Sequence, residues 1–114
     1  MDASEQAIID EVIADLTTEL TETDDNFDAT ILTSKVTQAY REVKGVRNYP
    51  SSYTTAMVVA DIEKFYPNIR NIALYDYNQV GGEFQKSHNE NSINITWQDR
   101  DSLFAGIIPL SRTQ

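Results

Sequence analysis

A chain of 114 residues has room for one domain, residues 1–114, and a modest core. It carries no cysteine, which excludes disulfides and thiolate metal sites. No apolar run approaches the roughly 20 residues that span a bilayer, so no membrane role is expected. The net charge of −9 is unevenly placed: residues 1–34 hold ten acids and no Lys or Arg, whereas residues 35–114 hold eight acids and nine bases. Gripping a phosphate backbone takes a basic patch, and this chain offers none. The acidic third suits either a solvated face that aids solubility or the lining of a passage through which DNA must slide.

In chain order, residues 1–21 predict a first helix with Ser4 as its N-cap. Ile8, Ile9, Val12, Ile13, Leu16 and Leu20 recur on one helical face, and Asp10, Glu11, Asp15 and Glu19 fall largely outside it. The opening MDASEQAIIDEV is acidic where a signal peptide would be basic, so a cytoplasmic setting is expected. Residues 21–27 break the pattern. Asp24, Asn26 and Asp28 alternate like the start of an EF-hand loop, but Ala29 and Lys35 stand where that loop needs Gly and Glu. Asp28 is better explained as the cap of a second helix over 29–44, with Ile31, Leu32, Val36, Ala39, Tyr40 and Val43 inward. Gly45 is its expected left-handed stop, and residues 47–52 are a turn.

Val58, Ile62, Phe65, Ile69, Ile72 and Asp76 then follow at alternating spacings of four and three, a heptad seam. The seam runs past Pro67. One long helix over about 54–79, bent at Pro67, would keep that register; the alternative is a break with Pro67 in the first turn of a separate helix. Asp76 takes an apolar position, and a buried carboxylate needs a partner. Arg41, Arg47 and Arg70 are the candidates, within the chain or from a neighbouring copy, unless the helix turns and leaves Asp76 exposed. Gly81-Gly82 ends the helix. Residues 83–92 predict a long polar loop, Ile93, Ile95 and Trp97 a short strand, and residues 99–102 a turn or short helical piece. Residues 103–110, LFAGIIPL, form an extended apolar tail, and Pro109 suits an edge or a docked position. The fold class is mainly α: a small helical bundle with a loop, a short strand and a C-terminal tail.

No catalytic pattern emerges. His88 is the only histidine, and it lies in a polar loop beside Ser87 without a placed partner. Asp61 and Glu63 are two apart on a helix and face different ways. Gly81-Gly82 follows a helix and lacks the Lys-Ser/Thr of a phosphate loop. Neither an enzyme nor a cofactor is expected. The apolar tail would be costly to leave in water, at roughly 25 cal/mol per Å² of apolar area, and calls for a partner surface. Docking an edge or a tail is a common way to link subunits.

The succession FYPNIRNIALYDYNQVG, SHNENSINITW and DRDSLFAGIIPL resembles the head–tail connector proteins of tailed bacteriophages, the adaptor or head-completion proteins that bind beneath the portal. The helix core IRNIALYDYNQVG and the loop residues Ser87, His88, Glu90 and Asn91 carry most of the likeness, which spans residues 53–114. Ser92 stands where the loop's Glu-Asn-Gly pattern would have glycine. The resemblance implies a structural virion protein at the neck, assembled in the bacterial cytoplasm. It would form a homo-oligomeric ring, dodecameric to match the portal, that extends the DNA channel and offers a docking face to a stopper or tail-completion protein. DNA would pass through without specific binding. On that reading Leu103, Phe104, Ile107, Ile108, Pro109 and Leu110 dock on the portal or a neighbour. Phe84, Ser87, His88, Glu90, Asn91, Ile93, Ile95 and Trp97 lie at a subunit interface, Arg70, Asp76 and Arg41 are candidates for an interface ion pair, and Asp10, Glu11, Asp15 and Glu19 face the channel. The competing expectation is a small acidic helical module or regulator that binds a single protein partner.

Overall fold

A computed structural model of the chain describes residues 3–23, 25–82, 100 and 102–110. Four α-helices make up most of it: α1 (Ala3–Thr23), α2 (Ala29–Arg47), α3 (Thr55–Ile62) and α4 (Tyr66–Gly82), with a 3-10 turn over Glu63–Phe65 joining α3 to α4. The chain is mainly helical, as its periodicity predicts. The expected loop over 83–92 and strand over 93–97 lie outside the described residues.

The apolar stripes do the assembling. Ile8, Ile9, Val12, Leu16 and Leu20 of α1 meet Leu32, Val36, Ala39, Tyr40 and Val43 of α2 and Ile69, Ile72, Ala73 and Tyr77 of α4 in one buried core. The α2–α4 pairing is the most extensive, and α1 lies against both. Ile13 and Ile31, also placed on the stripes, are half-buried at the core's margin.

The helix ends differ from expectation at two points. Ser4 is already the second residue of α1, not its cap. The first turn is pinned by Glu5 instead. Its carboxylate is buried and accepts from the Tyr40 hydroxyl and from Lys44 Nζ, both at 2.7 Å. At the other end of α2, the helix runs straight through Gly45 and stops at Asn48, whose φ of 53° is left-handed and whose N–H returns to the Lys44 carbonyl. Asparagine is one of the few residues besides glycine that visits this region readily. Asp28 caps α2 as predicted: its side chain accepts from the Ile31 N–H at 3.1 Å, and its own N–H donates to the Tyr77 hydroxyl at 2.9 Å. That second bond ties the start of α2 to α4.

The single helix bent at Pro67 is replaced by α3, the 3-10 turn and α4, with Pro67 the second residue of α4. The cause is the missing proline N–H. In an α-helix it would serve the Glu63 carbonyl; here the Tyr66 N–H bonds that carbonyl one residue early, which is 3-10 spacing. Ile62, Glu63 and Tyr66 all keep right-handed helical backbone, so the chain advances without leaving the helical path. The seam therefore holds its register. Val58, Ile62, Ile69 and Ile72 are buried, while Phe65 and Asp76 are half-buried.

The C-terminal segment is not the extended tail the sequence suggests. Turns bonded from Leu103 N–H to the Arg100 carbonyl, Ala105 to Ser102 and Ile107 to Phe104 fold it back. Gly106, at φ +87°, supplies the reversal that other residues rarely adopt. Ile107 enters the core, and Leu103 and Phe104 pack against it. Apolar side chains this close to an incomplete core gain more by burial on it than by waiting in water.

Candidate docking surface

Arg47, the last residue of α2, organises the end of the bundle where the C-terminal segment lies. It is 8% exposed. Its Nε and Nη2 donate to the two oxygens of Asp61 on α3 at 2.8 and 2.9 Å, a forked pair. Its Nη1 donates to the Ile108 carbonyl at 2.8 Å. Its own carbonyl accepts the Leu110 N–H at 2.7 Å. The guanidinium stands 5.1 Å from the Phe65 ring centroid, which fits a cation–π contact. The Tyr49 hydroxyl donates to Asp61 at 2.6 Å. Burial alone would push the Asp61 carboxyl up; the Arg47 fork, the Tyr49 hydroxyl and nearby Lys64 outweigh it and hold it below the ordinary carboxylate value. Burial, with the bond to Asp61, raises the Tyr49 phenol.

Two further ties hold the same segment. Asn68 Nδ2 donates to the Leu103 carbonyl at 2.8 Å. Arg100 donates to both oxygens of Asp76 at 2.9 Å and to Glu42 at 2.8 Å, and lies 5.6 Å from the Phe104 ring centroid. Pairing with Asp76, then with Glu42, raises the Arg100 guanidinium against the opposing effect of burial. Asp76 thus has the partner that its seam position demands, but it is none of the three expected. Arg47 is taken by Asp61, Arg70 by Asp15 and Glu19, and Arg41 is exposed on α2. The true partner stands 24 residues downstream, beyond any helical spacing that sequence reasoning could use. Glu5 and Arg100 escape sequence reasoning for the same reason, and Arg47 enters it only as a candidate partner of Asp76: each is a charged side chain whose burial depends on a distant element.

The acidic face of α1 is partly neutralised. Arg70 on α4 bonds Asp15 at 2.9 Å and also bonds Glu19, and the Tyr66 hydroxyl reaches Asp15 at 3.3 Å. Asp10 accepts from Gln6, and Glu11 is exposed. Of the four acids assigned to a channel, two are therefore tied across the α1–α4 seam.

Of the six residues assigned to docking, Leu103, Phe104 and Ile107 face their own bundle, whereas Ile108 is 67% exposed and Leu110 37% exposed, and Pro109 is exposed between them. Met57, 47% exposed, stands one turn ahead of Asp61 on α3. Met57, Ile108 and Leu110 are the exposed large hydrophobics among the described residues, and all belong to elements held by Arg47. Phe84, Ser87, His88, Glu90, Asn91, Ile93, Ile95 and Trp97 lie outside the described residues. Among the described residues no cluster of His, Asp or Glu is arranged to hold a metal, and no helix is long and apolar enough to cross a membrane. A shallow hollow on α2 lined by Ser34, Thr37, Gln38, Arg41 and Glu42 mixes both charges and has no convergent set of catalytic groups. Comparison with protein-family models, with curated proteins and with solved structures finds no match.

Proposed function

We propose that the protein is a head–tail connector of a tailed bacteriophage, one subunit of a ring beneath the portal that extends the DNA channel and receives a stopper or tail-completion protein. The observation that carries this reading is the order of sequence motifs along residues 53–114, FYPNIRNIALYDYNQVG, then Ser-His-x-Glu-Asn, then the apolar end, which resembles that family. Two structural features support it. The apolar end is only half consumed by its own bundle, so Ile108 and Leu110 remain for another chain. The Asp10 and Glu11 side chains stay on the exposed face of α1, as a DNA passage needs.

The docking role narrows accordingly. Leu103, Phe104 and Ile107 act as the anchor of the segment, and Ile108, Pro109 and Leu110 act as its outward face. Mixing the purified protein with a phage portal and imaging by electron microscopy tests the proposal. Rings seated on the portal are expected, and they should vanish with Ile108→Asp/Leu110→Asp. Portals that stay bare beside the folded wild-type protein would overturn it. A stable one-to-one complex with a single host protein would instead favour the regulator.

A further inference from the structure

We infer that Arg47 is a conformational coupler that makes the seating of residues 107–110 depend on the ion pair that closes the α2–α3 connection, with Asp61 as the positioning residue. The inference concerns the isolated chain and holds whatever the chain assembles with. It rests on the geometry of one guanidinium. The forked pair with Asp61 uses the Nε/Nη2 edge and fixes the plane of the group. Fixing that plane aims Nη1 to the other side, where it meets the Ile108 carbonyl.

Among the described residues, Asp61 bonds Arg47, Tyr49 and Lys64 and none of the C-terminal segment. Its path to the described C-terminal segment runs through Arg47. Arg47 in turn holds the segment twice, by its side chain at Ile108 and by its carbonyl at Leu110. The α2–α3 connection, residues 48–54, is closed by the same carboxylate, because Tyr49 within it donates to Asp61. Opening that connection would therefore strip the guanidinium of its fork and free the segment. Unseating the segment would leave a buried cation one acceptor short and favour opening. Such coupling is reciprocal by thermodynamic necessity. The exposed side chains Met57, Ile108 and Leu110 sit on the two elements so linked, which makes the arrangement of that apolar surface conditional on one ion pair.

Amide hydrogen exchange of the full chain, followed by NMR, reads the coupling directly. The reporter is the Leu110 N–H, and the internal references are the Val36 and Ile72 amides of the core. In Asp61→Asn, Leu110 should exchange about tenfold faster relative to those references, the scale of losing a charge-assisted hold. Tyr49→Phe should move it in the same direction by a smaller factor. Lys64→Ala should leave it unchanged, since Lys64 is exposed and touches Asp61 only at 3.6 Å. If Asp61→Asn does not fold, Tyr49→Phe decides. The inference is overturned if relative Leu110 exchange stays within about twofold of wild type in the folded variant that decides.

Discussion

At the scale of single residues, a few buried charges depend on partners from remote parts of the chain. The Arg47–Asp61 pair is the clearest, with both side chains about one-tenth exposed. Removing one partner leaves the other charge buried and unpaired, which typically costs about 3–5 kcal/mol. Asp61→Ala should lose about that much in urea unfolding. Glu5→Gln should cost less, because Lys44 is 43% exposed and can return to water. The pH dependence follows from the shift directions. The Asp61 carboxyl is lowered in the fold, so its contribution is present above the unfolded value of about 3.9 and is lost as pH falls through the lower folded value. The Tyr49 phenol is raised, so its contribution is present below about pH 10 and is lost as pH rises past that. Wild-type stability should therefore fall at both extremes. Asp61→Asn should flatten the acid limb, and an unchanged acid limb would contradict the assignment.

At the scale of elements, caps and stops decide where the helices run. Asp28 both caps α2 and donates its N–H to Tyr77. The side-chain cap alone is worth about 1 kcal/mol, so Asp28→Ala should lower stability by that amount in a thermal melt. Pro67 gives a sharper test. In a helix interior proline costs about 3 kcal/mol, but here it lies in the first turn of α4 after a 3-10 turn that already serves the Glu63 carbonyl. Pro67→Ala should change stability by under about 1 kcal/mol. A gain near 3 would mean that the proline strains a continuous helix after all.

The heptad spacing from Val58 to Asp76 was legible in the sequence because the period of apolar residues is a local property. The register even survives the 3-10 turn. The alternative of Pro67 in the first turn of a separate helix is the one the structure takes; the 3-10 form of the junction was not legible, since it depends on which donor serves the Glu63 carbonyl. Gly45 misled for a related reason. Glycine permits a stop but does not impose one, and the helix continues to carry Arg47 to Asp61.

At the scale of the whole molecule, the C-terminal segment divides its allegiance. Its apolar content was plain in the sequence, but its destination was not, because Ile107 reaches the core only through the turn at Gly106 and through ties to Arg47, Asn68 and Asp76. What faces outward is Ile108 and Leu110, with Met57 on α3. The charge distribution makes a second whole-molecule statement. With Asp15 and Glu19 bound to Arg70, the channel reading falls mainly on Asp10 and Glu11. Asp10→Lys/Glu11→Lys should leave folding intact, since both acids are exposed and, among the described residues, Asp10 bonds exposed Gln6 alone. In an assembled ring the variant should slow DNA passage through the particle; ejection at the wild-type rate from rings carrying it would remove the channel assignment.

Assembly is the property that separates a connector from a lone helical module, and mass in solution reads it most directly. Measured with and without a phage portal, the protein should join a complex of portal plus a closed ring of its own copies. Wild-type protein that keeps the mass of the free state at saturating portal, while remaining folded, would contradict the connector reading at its root.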